Sequence, residues 1–165
     1  MRFRDLVDAY MRRPSPATWQ PLKQAILADT SYEQLPTQVR RANELLCDGQ
    51  HFEALRVIDM KMPGLFFSPS AHSAQQRALA AAGRDEAAHR ALLFARAAYR
   101  TIDDSGDGSR HRPWRVLRIS DEYDFLELKE VTSVRQSLES LGQRRLDAHT
   151  LEDGRVVYFE MEVAS

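Results

Sequence analysis

Apolar residues recur every three or four positions through the first two thirds of the chain and every second position through the last part, so a helical half precedes a strand half. Phe3, Leu6, Val7, Tyr10 and Met11 share one helical face, with Arg2, Arg4, Asp5, Asp8 and Arg12 outside it. Pro14 and Pro16 end that helix. A second begins at Thr18, whose hydroxyl can cap it, tolerates Pro21 in its first turn, and carries Trp19, Leu22, Ile26 and Leu27. A third runs from Leu35 to Asp48 and buries Leu35, Val39, Ala42, Leu45 and Leu46. A fourth, from Gln50 to Met60, presents Phe52, Leu55 and Ile58. The loop from Met62 to Pro69 is unusually apolar, and its Leu65-Phe66-Phe67 is either a plug between helices and sheet or an exposed contact patch. A fifth helix (Ser70 to Ala82) and a sixth (Arg84 to Ile102) meet at Gly83.

An internal repeat organises this half. Gly83 follows Gly49 at the spacing of tetratricopeptide-type helix pairs, Ala54 and Ala88 stand at equal distances beyond the two glycines, and Leu45 matches Leu79. A glycine at the turn and a small residue where the second helix crosses the first are what such a pair requires.

From Asp103 the period changes. Trp114 to Ile119 reads as a strand and Asp121 to Leu128 as one short helix burying Tyr123, Phe125 or Leu126. Val134 to Leu141, Arg144 to Leu151 and Arg155 to Val163 form a meander, with turns at Gly142 and Asp153-Gly154. A sheet this small needs a partner for its apolar face, and the helices supply it. The expected fold is α+β: tetratricopeptide-like helical hairpins (1–102) packed on a small antiparallel sheet with one short helix (103–165), the two sharing one core.

Composition narrows the function classes. A chain of 165 residues buries enough surface to fold without disulfides, and the single Cys47, among Leu45 and Leu46, is expected to be a buried, inert thiol. Residues 1–100 carry 14 Lys and Arg against 10 Asp and Glu, and residues 101–165 carry 9 against 14, so no basic block implies nucleic acid. No membrane span or secretory core is evident, and a cytoplasmic location is expected.

Ser105-Gly106-Asp107-Gly108-Ser109, then Val116 and Ile119 leading into Ser120-Asp121-Glu122-Tyr123-Asp124-Phe125-Leu126, then Gln136-Ser137-Leu138, Gly142 and Asp147, and Asp153-Gly154 before Val157-Tyr158-Phe159 carry a resemblance. They are similar to a bacterial family of unknown function, number 4919 in the domains-of-unknown-function series, over about residues 40–163. The resemblance implies a tetratricopeptide-like segment paired with a small sheet, and no activity. The chain departs from the pattern at Lys129-Glu130-Val131-Thr132, where a Leu-Gly turn is expected.

The junction loop is the densest candidate site. Asp103, Ser105, Asp107 and Ser109, with Gly108, match the first half of a calcium loop, but Arg110 and Trp114 stand where an apolar residue and a glutamate are required. His111 replaces the third glycine of a dinucleotide turn. Asp121, Glu122 and Asp124 read as helix-capping acids, Asp121 and Asp124 on one face and Glu122 off it. His149 and Asp147 share a strand face without a third ligand. No hydrolase elbow, zinc-protease or Cys-x-x-Cys motif occurs. The reading is a non-enzymatic interaction module (adaptor, chaperone-like helper or toxin-neutralising inhibitor) with an unidentified protein partner and no cofactor, metal or catalytic residue. Its candidate contacts are Asp107, Arg110, Arg112, Arg115, Phe66 and Phe67. The alternative is an enzyme or small-ligand or metal binder using Asp104, Asp107, Asp121 and Asp124.

Overall fold

The computed structural model describes residues 1–164. Helices α1 (Phe3–Arg12), α2 (Pro16–Leu27), α3 (Gln38–Cys47), α4 (His51–Asp59), α5 (Pro69–Ala81) and α6 (Asp85–Asp103) lead into β1 (Trp114–Val116), α7 (Ile119–Leu128), β2 (Ser133–Leu141), β3 (Arg144–Leu151) and β4 (Val156–Met161). The fold is α+β, as the periodicities require. Helix α2 starts earlier than Thr18 because Ser15 caps it, its hydroxyl accepting from the Thr18 amide while Thr18 Oγ1 accepts from the Ser15 amide. Helix α3 starts later than Leu35 because Pro36 disfavours helix in the residue before it, and Leu35 is left exposed.

The two glycines of the repeat perform one task twice. Gly49 and Gly83 have φ of 73° and 70°, and each follows a helix closed by the same pair of bonds. Gln50 N–H reaches Leu45 O at 2.8 Å and Arg84 N–H reaches Leu79 O at 2.9 Å. Both leucines and the matching Ala54 and Ala88 are buried in one cluster shared by α3, α4, α5 and α6. Cys47, by contrast, is exposed: it lies about 200° round the helix from Leu45, off the buried stripe.

Leu65, Phe66 and Phe67 are buried, so the apolar loop is a plug. Phe66 and Phe67 pack with α1, α2, α6 and Leu117, where Phe67 stacks on Trp19 and meets Tyr10 edge-on. The buried His72 secures the loop, its Nε2 accepting the Phe67 N–H at 3.1 Å and its Nδ1 pairing with Gln75 Oε1 at 2.8 Å. Burial lowers the His72 pKa to about 4.

The sheet order is β1-β4-β3-β2, and it is mixed rather than purely antiparallel. β2, β3 and β4 form the expected meander, but β1 runs parallel to β4. β1 is also shorter than Trp114–Ile119. The chain leaves the sheet at Leu117, whose side chain joins the helical cluster, and the Ile119 N–H bonds Gln34 O at the start of α7. One sheet face carries Trp114, Val116, Leu151 and Phe159 against Phe125 and Leu126 of α7 and Ile102 of α6. Further ties join the helical half to the chain just past β1 and β4: Lys23 of α2 with Glu162 at 2.8 Å, and Tyr32 Oη of the α2–α3 loop donating to Leu117 O at 2.6 Å.

Candidate functional site

Helix α7 directs Asp121, Asp124 and Glu122 to different partners: Arg118 at its own start, Ser70 of α5 and His149 of β3. Successive residues turn by about 100°, so Asp121 and Asp124 point toward the helical layer and Glu122 toward the sheet. Asp121 pairs with Arg118 at 3.2 Å, and both are fully buried. The same guanidinium donates to Gly64 O and to Phe66 O, the latter at 2.9 Å, fastening the plug loop. Asp124 accepts from the Ser70 amide and hydroxyl at the start of α5. Burial raises the Asp121 carboxyl to about 7 against the pull of Arg118, and raises that of Asp124.

Glu122 enters a polar relay. Its Oε2 lies 2.8 Å from His149 Nε2, and His149 Nδ1 lies 2.8 Å from Ser133 Oγ. Gln136 Nε2 reaches Glu122 at 3.4 Å and Asp147 at 3.2 Å, and its Oε1 accepts from the Tyr123 hydroxyl. Burial raises the Glu122 pKa to about 7, with the His149 bond opposing it. The order hydroxyl, imidazole, carboxylate is that of a nucleophile, base and orienting acid. Only its hydroxyl end reaches open space. His149 and Glu122 are fully buried, the imidazole lies between the edges of Tyr123 and Phe159, and of the three side chains only Ser133 lines the adjoining open groove. The relay clamps β2 and β3 to α7. Nothing in the sequence marks it, because Glu122 and His149 are 27 residues apart and neither stands in a motif.

The other candidate residues scatter. In the junction loop Asp107 accepts from the Ser109 amide and pairs with Arg112 at 3.5 Å, while Gly108, with φ of 76°, presses on the Trp114 ring. Arg110 pairs with Glu139 of β2 at 3.4 Å and donates to Ser140 O; Arg115 pairs with Glu160 of β4 at 3.8 Å. These three arginines are exposed, whereas Phe66 and Phe67 lie inside the core and offer no surface to a partner. Asp104 lines the groove beside α6, apart from Asp121 and Asp124, and among the described residues no three His, Cys, Asp or Glu side chains are grouped to hold a metal.

Two surface features remain. A largely apolar groove of about 760 Å³ runs beside α6, lined by Tyr10, Met11, Leu92, Leu93, Tyr99 and Leu128. The other is the outer edge of β2, which ends the sheet and is exposed along most of its length. Its hydrogen-bonding parity follows from the hairpin. Gly142, with φ of 62°, and Gln143 form a two-residue turn closed by Leu141 and Arg144, and such a closing pair exchanges both backbone bonds. Counting back, Leu141, Glu139, Ser137 and Arg135 turn their backbone groups to β3. Ser140, Leu138 and Gln136 turn theirs outward, which is why Ser140 O is free to accept from Arg110. The side chain of Leu138 is 62% exposed beside this edge, and that of Val134, at the bulge between Ser133 and Arg135, is 60% exposed.

The chain is thus an α+β protein in which helical hairpins cover one face of a mixed four-stranded sheet whose long outer strand is open. No family model, curated protein or solved structure matches it.

Proposed function

We propose that this chain is a non-enzymatic interaction module that docks an extended segment of a protein along the outer edge of β2. The observation that carries the reading is the nine-residue edge strand itself, whose outward N–H and C=O groups at Gln136 and Leu138 lack a neighbouring strand. Proteins blunt such edges with Lys, Pro, bulges or short strands, because an open ladder recruits another chain. Within β2 the edge is blunted by the bulge at its start and by the charges of Arg135 and Glu139, yet Leu138 is offered to solvent between those charges. Main-chain bonds supply affinity in this mode of recognition, and alternate side chains supply selectivity. The buried relay supports it by holding β2 and β3 on α7, so the edge is presented ready-formed.

The alternative reading, a ligand or metal site built from Asp104, Asp107, Asp121 and Asp124, has less support, since two of these acids are committed to Arg118 and Ser70 and the others lie apart.

Leu138→Pro tests the edge directly. It deletes an outward N–H and leaves the bonds to β3 in place, because proline is tolerated where an edge strand faces solvent. Proteins captured from native extract by the wild-type chain and lost by Leu138→Pro would support docking at β2. Equal capture by both would place recognition elsewhere.

A further inference from the structure

The regular part of the β2 edge is complementary to itself. Beyond the bulge, Arg135 and Glu139 are two positions either side of Ser137, and they share the sheet face opposite α7 with Leu146, Ala148 and Thr150 of β3. An antiparallel copy of β2 brought to this edge by a twofold axis through Ser137 sets Arg135 opposite Glu139, and by symmetry Glu139 opposite Arg135. The backbone parity agrees. Ser137, Arg135 and Glu139 fall in the non-hydrogen-bonded sites of the new ladder, where facing side chains approach most closely, and each Gln136–Leu138 pair exchanges both backbone bonds. Shifting the axis by one residue, to Gln136 or Leu138, sets both charges against serines, leucine or other uncharged positions, so electrostatics selects one register.

We infer that a second copy of this chain is the extended partner of β2, giving an isologous dimer with one continuous sheet through the twofold axis; this rests on the edge being the docking element. Each Leu138 then lies beside the other copy's Gln136, whose side chain is already held by Tyr123. Arg110, which bonds Ser140 O and Glu139, marks the end of the new ladder and stays within reach of the glutamate after pairing. Strand pairing of this length buries less than a standard interface of about 1,600 Å². Interfaces below that size belong to weak, transient associations.

Sedimentation velocity on the full chain between about 1 and 300 μM reads the result. The wild type is expected to pass from monomer to dimer. Arg135→Glu sets like charges opposite each other twice and should weaken the dimer about ten-fold or more. Adding Glu139→Arg in the same chain restores opposite charges and should recover most of the affinity. A wild type that stays monomeric throughout overturns the inference, and so does a dimer indifferent to Arg135→Glu or one that the double exchange fails to restore. Should Leu138→Pro misfold, the charge exchange alone still decides. If the wild type is monomeric while its capture of other proteins is still lost in Leu138→Pro, the edge-docking reading stands and only the choice of partner fails.

Discussion

Arg118→Leu should be among the most damaging single changes to this protein. The guanidinium is fully buried and donates to Asp121 at 3.2 Å, to Gly64 O and to Phe66 O. Leucine retains part of the apolar stem and removes every donor. Each backbone carbonyl left unpaired in the interior costs about 1–3 kcal/mol. Asp121 adds little at pH 7, because burial already holds its carboxyl at about 7 and it can take up a proton. The two carbonyls together come to about 2–6 kcal/mol, which spans the ~3–5 kcal/mol typical of breaking one side of a buried ion pair. Against a typical total of about 5–15 kcal/mol, that leaves a marginal fold. Among the described residues Arg118 Nε has no hydrogen-bond partner, which places the value toward the lower end. Urea unfolding at pH 7, followed by circular dichroism, measures the loss. Adding Asp121→Leu to Arg118→Leu should recover little of it, because the acid left behind can take up a proton. A loss below about 1 kcal/mol at unchanged m would refute the claim that Arg118 fastens the plug loop to α7.

Glu130 closes α7 with φ of 57°, and Val131 N–H reaches Leu126 O at 3.1 Å, the same closure that Gly49 and Gly83 make; Glu130→Gly should therefore raise stability by about 0.5–1 kcal/mol and the melting temperature by about 1–4 °C. A lower melting temperature would contradict this. Stability should also depend on pH with two opposing signs. Asp121 and Glu122 have folded pKa values raised to about 7, so the folded state gains protons first and stability rises as pH falls through 7 toward the unfolded values of 3.8 and 4.5. His72 is lowered to about 4 from 6.5, so the unfolded chain gains its proton first and this group withdraws stability, about 1.4 kcal/mol per pH unit, as pH falls from 6.5 to about 4. The chain should be more stable at pH 6.5 than at pH 8, and His72→Gln should steepen the rise below 6.5; greater stability at pH 8 would reverse the assignment of both acids.

Legibility in the sequence followed the range of the forces involved. Local chemistry was readable: the glycine-closed hairpins at Gly49 and Gly83, the turn at Gly142 and the alternation of β3 each depend on residues a few positions apart. Elements set by distant partners were not. The strand pattern of Trp114–Ile119 ends at Val116 because Leu117 is drawn into the helical cluster and Ile119 is bonded to Gln34. β1 lies parallel to β4 through a pairing that no local pattern encodes. Arg118, Glu122 and His149 are of types usually found at the surface, and their burial depends on groups 27–54 residues away. Helical periodicity separates the Asp121 and Asp124 face from that of Glu122, yet the acids' targets (Arg118, Ser70 and His149) come from the tertiary fold. The edge of β2 is visible only once the strand order is known.

Residue-resolved amide exchange tests the docking edge most directly. With the isotopically labelled chain dilute and alone, the amides of Arg135, Ser137 and Glu139, which bond β3, should be protected, and those of Gln136 and Leu138 should exchange freely. At high concentration of the chain, or in unlabelled native extract, protection should appear at Gln136 and Leu138 and remain unchanged at the odd-numbered positions. Free exchange at Gln136 and Leu138 under every one of these conditions would contradict the proposal that β2 is where this protein binds.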